Sequence, residues 1–231
     1  MNWIQILLLV LFGVDTIIHL VGEYLITKEK AGDLIEYLTK PFLMLLLAAF
    51  YIASAVENAV PINWWFFAGI IGGFLGDFFL MLPDKDGKKI WFKIGLVAFL
   101  IGHIFYIIAM IVRGWDYAGF QLWSLAIGTV FVIYGIIIAP KLLKHTGKMS
   151  LPVGVYIVVI VMMGYSTSVL IGIVNLTAAL FLIIGASFFV ISDTLNAWHR
   201  FAKPIRNERL WVMSTYILGQ FLIVYGFVLA I

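Results

Sequence analysis

The chain has 231 residues, of which 64% are hydrophobic and 12% are charged. A soluble domain has roughly 45–50% apolar and about 25% charged residues, so this composition excludes an ordinary soluble protein and indicates a membrane protein. The chain contains no cysteine, which excludes disulfides, cysteine nucleophiles and thiolate metal sites. Its formal net charge is +3, but the basic residues are scattered through short loops, so we expect no nucleic acid partner.

Eight windows of mostly apolar residues are long enough to cross a bilayer as helices. A span needs roughly 20 such residues, and inside hydrocarbon a helix satisfies its own backbone hydrogen bonds. The N-terminal window lacks a basic n-region and a small-residue cleavage site, so we interpret it as a retained first span. The sequence therefore predicts an all-α membrane protein with one eight-helix domain over residues 1–231. The predicted spans are residues 2–26, 40–57, 64–82, 90–112, 120–139, 151–167, 169–198 and 210–231.

The basic residues predict the direction of the spans, because cytoplasmic loops carry an excess of lysine and arginine. Of the 15 basic residues, 14 lie in or beside odd-numbered connections, and Arg113 is the exception. We expect both termini outside the cell membrane (N-out and C-out) and the odd-numbered loops in the cytoplasm. The residues of this pattern are Lys28, Lys30, Lys40, Lys85, Lys88, Lys89, Lys93, Lys141, Lys144, Lys148, Arg200, Lys203, Arg206 and Arg209.

Ionisable side chains inside the spans are the candidate functional residues, because such groups are costly to insert into a membrane. Asp77 in the third span and Asp193 in the seventh are the candidate catalytic residues, and the predicted direction puts both in the inner half of the membrane. Asp15 and His19 share one face of the first span and are equally consistent with a structural polar pair. The candidate substrate-binding residues are expected in the middle and inner half of the bundle, with His103 and Gln220 near the middle; they are Glu23, Lys40, His103, Tyr106, Asn196, Tyr216 and Gln220.

The spacing of these residues suggests an internal repeat. Asp77 and Asp193 are 116 residues apart, and His103 and Gln220 are 117 apart. They fall in the third and fourth spans of each half of the chain. This pattern predicts two parallel four-helix halves, residues 1–113 and 114–231, related by an axis along the membrane normal.

Two carboxylates close together in a low-dielectric site cannot readily both ionise, so one retains its proton near neutral pH. Such a pair titrates as a unit and offers an acid and a base together. Glycosidases use two carboxyl groups in this way around an oxocarbenium-like transition state. A substrate that reaches such a site from the bilayer would be lipid-like, and Lys40 or Arg200 could hold a phosphate head group.

Six stretches of the chain, taken in their order and spacing, resemble the lysoplasmalogenase (YhhN-like) family of integral membrane hydrolases. The resemblance implies an eight-helix fold and cleavage of the vinyl ether bond of lysoplasmalogens. This chemistry requires no metal or other cofactor, although an Asp-His-Asp set could bind a metal ion. Asp77 and Asp193 match the acidic positions of the family, and Lys40, His103, Tyr106 and Gln220 match its other polar positions. The stretches are residues 38–44 (LTKPFLM), 75–82 (LGDFFLML), 95–106 (GLVAFLIGHIFY), 151–156 (LPVGVY), 189–198 (FVISDTLNAW) and 216–220 (YILGQ).

The implied substrate is a lysophospholipid, and the products are a fatty aldehyde and glycerophosphoethanolamine or glycerophosphocholine. One aspartate would protonate the vinyl ether carbon, and the other would stabilise the cation and deprotonate water; the sequence leaves open which does which. His103 and Tyr106 could orient the acid or the water, and Lys40 would contact the phosphate. Three other classes remain open: a proton-coupled transporter of a small or lipid-like solute, a metal-dependent lipid hydrolase of the ceramidase type, and a non-catalytic membrane scaffold.

Overall fold

The computed structural model describes residues 1–29, 34–84, 89–116 and 121–231. Three basic residues of the orientation pattern, Lys30, Lys85 and Lys88, lie outside the described residues. Within the described ranges, eight helices are long and apolar enough to cross a membrane, which confirms the predicted all-α multi-pass fold. They are α1 (Trp3–Thr27), α2 (Leu34–Glu57), α3 (Trp64–Met81), α4 (Ile90–Asp116), α5 (Leu122–Leu143), α6 (Ser150–Thr167), α7 (Leu176–Phe201) and α8 (Glu208–Leu229).

Helix α2 begins six residues before the predicted start of the second span. Hydropathy places that start at Lys40, because the residues before it include charges. In the structure Glu36 and Lys40 are one helical turn apart and form an ion pair, an arrangement that stabilises a helix rather than ending one. The prediction was therefore wrong about this first turn and a half, and the missing segment carries a charged residue of the site described below.

Helix α7 begins at Leu176, whereas the seventh span was predicted from residue 169. The intervening residues form a short 3-10 helix (Ser168–Leu170) and a turn in which Gly172 has a φ of +82°. Glycine populates this region without a steric penalty. The side chain of Asn175 then caps α7 by accepting a hydrogen bond of 2.8 Å from the backbone N–H of Ala178. The turn and the cap together explain the later start.

The described chain divides into two compact units. The first unit comprises residues 1–106 and residue 231, and it contains α1, α2, α3 and the first part of α4. The second unit comprises residues 107–230; within it α7 packs along α8, α5 along α6, and α6 against α7. The predicted division into repeat halves at residues 113 and 114 stays a prediction.

Each unit contains a helix pair whose backbones come into contact at glycines. A Cβ atom added at Gly102 of α4 would lie 3.1 Å from the carbonyl oxygen of Gly69 in α3. A Cβ atom added at Gly219 of α8 would lie 3.0 Å from the carbonyl oxygen of Gly185 in α7. Small residues at such crossings let two membrane helices approach closely enough for extensive van der Waals contact. Close contact between glycines therefore joins α3 to α4 in the first unit and α7 to α8 in the second.

The glycine pairs are separated by the same intervals as the polar residues. The glycines of α3 and α7 are 116 residues apart, and those of α4 and α8 are 117 apart. These are the separations of Asp77 from Asp193 and of His103 from Gln220. The match in both position and local packing supports the proposed repeat.

Candidate active site

In the first unit, α2 and α3 bring three charged side chains together, which we call the ionic network: Glu36, Lys40 and Asp77. The Nζ atom of Lys40 lies 3.5 Å from Oε1 of Glu36 and 3.7 Å from Oδ1 of Asp77. The side chains of Lys40, Glu36 and Asp77 are 11%, 16% and 4% exposed, so little solvent screens their charges. The structure thus pairs two predicted site residues and adds Glu36, which the late predicted start of the second span had left out.

Asp77 is held at this position by the packing of α3 on α4. A Cβ atom at Gly72 would lie 2.5 Å from the Cα atom of Gly102, so the two helix backbones touch there. One turn later the ring of Phe99 fills the space over Gly76. Asp77 follows Gly76 directly and is buried. The glycine-rich face of α3 therefore contacts α4, while the next residue points its carboxylate at α2.

His103 and Tyr106 of α4 are both buried in the core of the first unit. The imidazole of His103 stacks on Phe99 with ring centroids 6.3 Å apart. The ring of Tyr106 packs against Phe66 at 5.2 Å and lies over Gly69, where a Cβ atom would be 2.6 Å from it. Both predicted site residues are thus positioned by aromatic contacts on the same helix pair that holds Asp77.

Glu23, predicted to bind substrate, is paired with His19 on the same helix. Oε1 of Glu23 lies 3.6 Å from Nε2 of His19, and both side chains are buried. Nδ1 of His19 lies 2.7 Å from the hydroxyl of Thr39 on α2, and that hydroxyl donates its proton to the carbonyl of Ile35. The contact between His19 and Thr39 joins α1 to α2, one residue before Lys40.

In the second unit, Asp193 is half-buried and accepts a hydrogen bond at Oδ2 from the hydroxyl of Tyr156 on α6. The next residue, Thr194, accepts a hydrogen bond of 2.9 Å from the hydroxyl of Tyr134 on α5. The preceding residue, Ser192, donates to the carbonyl of Val212 on α8 at 2.8 Å. Three consecutive residues of α7 thus bind three different helices. Tyr156 was not among the predicted site residues, although it ends the stretch 151–156 that carried the resemblance.

The remaining predicted residues of the second unit lie on α7 and α8. Tyr216 and Gln220 are buried one turn apart, and the ring of Tyr216 meets Phe189 edge-on at 5.3 Å. Asn196 is half-buried on α7, three residues after Asp193. Asn196 thus lies on the aspartate helix itself, and Tyr216 and Gln220 lie on α8, which packs along it. Among the described residues of each unit, no three histidine or carboxylate side chains are arranged to hold a metal ion.

The YhhN family matches residues 35–227 of the chain, a segment that contains every residue of the ionic network. Lysoplasmalogenase TMEM86A from Homo sapiens is 31% identical to this chain over 161 residues, and the protein of the same name from Bos taurus is 30% identical over 161 residues. Each alignment covers 68% of this chain and 62% of the relative, so the chain spans less than two thirds of their length. Lysoplasmalogenase TMEM86B from Sus scrofa is 51% identical over 39 residues, which is 17% of each chain. No solved structure matches the chain.

Proposed function

The chain belongs to the YhhN family, and on this premise we propose that it is a membrane hydrolase that cleaves the vinyl ether bond of lysoplasmalogens. The observation that carries the proposal is the buried pairing of Asp77 with Lys40 inside the family segment. A carboxylate with a fixed counter-ion in a membrane span is a costly arrangement and indicates function. The similarity to proteins named lysoplasmalogenase supplies the substrate class. The proposed products are a fatty aldehyde and glycerophosphoethanolamine or glycerophosphocholine.

We assign the acid role to Asp193 and the base role to Asp77. The ammonium of Lys40 balances the negative charge of Asp77, so this residue is suited to act as a carboxylate. In this assignment Asp193, whose Oδ2 accepts a hydrogen bond from the hydroxyl of Tyr156, is the proton donor of the pair. Carbon is a poor proton acceptor, so protonation of a vinyl ether needs a positioned carboxylic acid.

The proposed reaction has two stages. The Asp193 proton adds to the β-carbon of the vinyl ether, and the α-carbon becomes an oxocarbenium ion. Water attacks that carbon and gives a proton to the Asp77 carboxylate. The product of this attack is a hemiacetal. The hemiacetal then collapses: its hydroxyl proton passes to Asp193, and Asp77 protonates the departing glycerol oxygen. Both aspartates return to their starting states, and one water is consumed.

The remaining site residues have supporting roles in this proposal. His103 and Tyr106 orient the acid or the attacking water, and Asn196, Tyr216, Gln220 and Glu23 bind the lysophospholipid. Contact between Lys40 and the head-group phosphate stays a prediction. The two carboxylates beside Lys40 support a role as the counter-ion of Asp77.

Aldehyde release from a purified lysoplasmalogen by the full chain in detergent tests the proposal. Asp77→Asn and Asp193→Asn should each lower kcat by at least about 100-fold, the range expected for loss of a general acid or base. Asp15→Asn is the matched control, because Asp15 is a carboxylate in α1 outside the assigned site. A folded wild-type protein that releases no aldehyde from several alkenyl lysolipids would overturn the proposal, and proton-coupled uptake in vesicles would then favour a transporter.

The predicted proximity of the two aspartates stays a prediction that cysteine chemistry can test directly. The chain contains no cysteine, so Asp77→Cys with Asp193→Cys creates a single pair. A disulfide or a short bifunctional crosslink between them supports the acid–base pair. Asp77→Cys with Thr129→Cys is the control, since Thr129 is exposed on α5. Crosslinking of the control pair alone would contradict a shared site.

We also propose the cell membrane as the location, with both termini outside and the odd-numbered loops in the cytoplasm. The distribution of basic residues supports this orientation. Single cysteines at Asn58 and at Lys144 should differ in labelling by an impermeant maleimide on intact cells. Labelling at Lys144→Cys and protection at Asn58→Cys would reverse the orientation.

A further inference from the structure

Helix α7 is attached to three neighbouring helices of the second unit at the consecutive residues Ser192, Asp193 and Thr194. Successive side chains of an α-helix point about 100° apart, which lets the three reach α8, α6 and α5 in turn. Ser192 donates to the carbonyl of Val212 on α8 at 2.8 Å. It lies on the same face of α7 as Gly185, where the backbones of α7 and α8 touch. Ser192 therefore ties α7 to α8, and the next two residues tie it to α6 and α5.

The hydrogen bond between Tyr134 of α5 and Thr194 of α7 has a defined direction. The hydroxyl of Thr194 donates to the carbonyl of Val190 on its own helix at 2.8 Å, and it accepts from the hydroxyl of Tyr134 at 2.9 Å. Both side chains are half-buried. A phenol hydroxyl without a partner in a membrane span costs free energy, and Thr194 supplies the acceptor. The bond thus joins α5 to the residue that follows the proposed acid, Asp193.

Tyrosines from two helices therefore bind adjacent residues of α7. Tyr134 of α5 donates to Thr194, and Tyr156 of α6 donates to Oδ2 of Asp193. Because the two bonds lie about 100° apart around the helix, together they resist rotation of α7 about its axis. A carboxylate about 5 Å from the axis moves by about 1 Å when the helix turns by about 10°. A displacement of this size can lower a reaction rate about 100-fold.

We infer that Tyr134 and Thr194 are positioning residues for vinyl ether cleavage: their hydrogen bond sets the rotation of α7 that presents the Asp193 carboxyl to Tyr156. The inference rests on the proposed function, in which Asp193 is the acid. Tyr134 and Thr194 act through Asp193 rather than by touching the substrate. Loss of one hydrogen bond between membrane helices changes an equilibrium roughly three- to tenfold, and this limits the expected effect.

Steady-state kinetics of the full chain in detergent, with a lysoplasmalogen as substrate, test this role. Tyr134→Phe and Thr194→Val should each lower kcat roughly three- to tenfold, with little change in KM. The double variant should lose no more than either single variant, because both changes remove the same bond. Thr194→Ser keeps the hydroxyl and should retain kcat. The matched controls are Tyr165→Phe on α6 and Thr215→Val on α8, since the hydroxyl of Thr215 donates to its own helix.

A chemical measurement separates positioning from stability and does not depend on catalysis. A hydrophobic carbodiimide modifies protonated carboxyl groups inside membranes, and mass spectrometry of the peptide measures the modification of Asp193. Tyr134→Phe should raise the rate of this modification roughly three- to tenfold, because the carboxyl then spends more time away from Tyr156. Thr194→Ser should leave the rate unchanged. A purely structural role would lower the midpoint of SDS-induced unfolding without changing the modification rate of the folded protein.

The outcomes distinguish this inference from the proposed function. If the wild type releases no aldehyde, the proposed function fails, and the modification rates still show whether the bond orients Asp193. If the wild type is active, retention of kcat in Tyr134→Phe and Thr194→Val, or losses that add in the double variant, would overturn only the positioning role. Equal rates of Asp193 modification in Tyr134→Phe and the wild type would also overturn it. If Tyr134→Phe fails to fold, the contrast between Thr194→Val and Thr194→Ser decides the question.

Discussion

Asp77 and Asp193 lie on α3 and α7, 116 residues apart, and their observed partners differ in charge. Asp77 has a lysine ammonium at 3.7 Å and is buried. Asp193 accepts from the phenol of Tyr156 and is half-buried. A cationic neighbour stabilises the charged form of a carboxylate, whereas a hydroxyl donor binds it without supplying a full charge. The described contacts thus include a cation beside Asp77 and a phenol hydroxyl beside Asp193.

In the repeat that we propose, the same kind of helix crossing presents its aspartate to a different partner in each unit. Both helix pairs use glycines for backbone contact, at Gly69 and Gly102 in one unit and at Gly185 and Gly219 in the other. The scaffold is similar, and the partner side chains come from helices outside each pair, α2 in the first unit and α6 in the second. The proposed acid and base roles would then depend on these outer partners rather than on the helix crossing.

The largest loss of stability and activity is expected when Lys40, the ionic partner of Asp77, is replaced. Lys40→Met leaves Asp77 and Glu36 without their ammonium, and it should lower the free energy of unfolding by about 3 kcal/mol, as breaking a nearly buried ion pair does. The midpoint of SDS-induced unfolding and the rate of aldehyde release measure this change. Lys40→Arg should recover most of the stability. The control is Lys141→Met, at an exposed position. Equal losses of stability and activity in the two variants would contradict a specific role for the Lys40 ion pair.

The hydroxyl of Tyr156, the partner of Asp193, should contribute less to activity than Lys40 does. Tyr156→Phe removes one hydrogen bond to Asp193, and a typical hydrogen bond contributes about 0.5–1.5 kcal/mol. We expect kcat to fall roughly tenfold with a small change in KM. Tyr165→Phe, on the same helix, is the matched control. A loss in Tyr156→Phe as large as that in Lys40→Met would show that the two aspartates depend on their partners equally.

If the helix crossing is repeated in the two units, alanine substitution at the contacting glycines should destabilise both units to a similar extent. Gly102→Ala and Gly219→Ala each place a Cβ atom about 3 Å from a backbone carbonyl of the neighbouring helix. Each should lower the free energy of unfolding by about 1–3 kcal/mol, the usual effect of overpacking. Gly13→Ala is the control, because a Cβ atom there meets nothing within 4 Å. Destabilisation in only one unit would argue against an equivalent role.

The smallest effect is expected at the contact between α1 and α2. Thr39→Val removes the hydroxyl that is hydrogen-bonded to Nδ1 of His19 and should lower the free energy of unfolding by about 1 kcal/mol. Thr129→Val is the control, because Thr129 is exposed and its hydroxyl donates to its own helix. The SDS midpoint measures both. An unchanged midpoint in Thr39→Val would mean that His19 does not anchor α1.

Hydropathy predicted the number of membrane helices but not where two of them, α2 and α7, begin. Eight spans were predicted and eight helices are present among the described residues, because twenty apolar residues in a row leave few alternatives in lipid. The starts of α2 and α7 were wrong for opposite reasons. In α2 an ion pair between Glu36 and Lys40 extends the helix through charged residues. In α7 the turn at Gly172 interrupts an apolar run that hydropathy alone treats as continuous.

The candidate site was partly predictable. Lys40 and Asp77 stand out because lysine and aspartate are rare inside spans, and the structure pairs them. Glu36 and Tyr156 were missed, since a charge near a span end and a tyrosine within a span have common structural explanations. Glu23 was assigned to substrate, and the structure shows it beside His19.

By itself the sequence determined the class of the protein, the number of its membrane helices and the rare charged residues within them. These follow from the cost of placing polar groups in hydrocarbon, which acts on each segment separately. Tertiary structure alone decided that Asp77 meets the ammonium of Lys40 and that Asp193 meets the hydroxyl of Tyr156. Such pairings depend on the rotation and crossing of neighbouring helices. Both are set by close packing at positions such as Gly72 and Gly102, and segment composition does not record them.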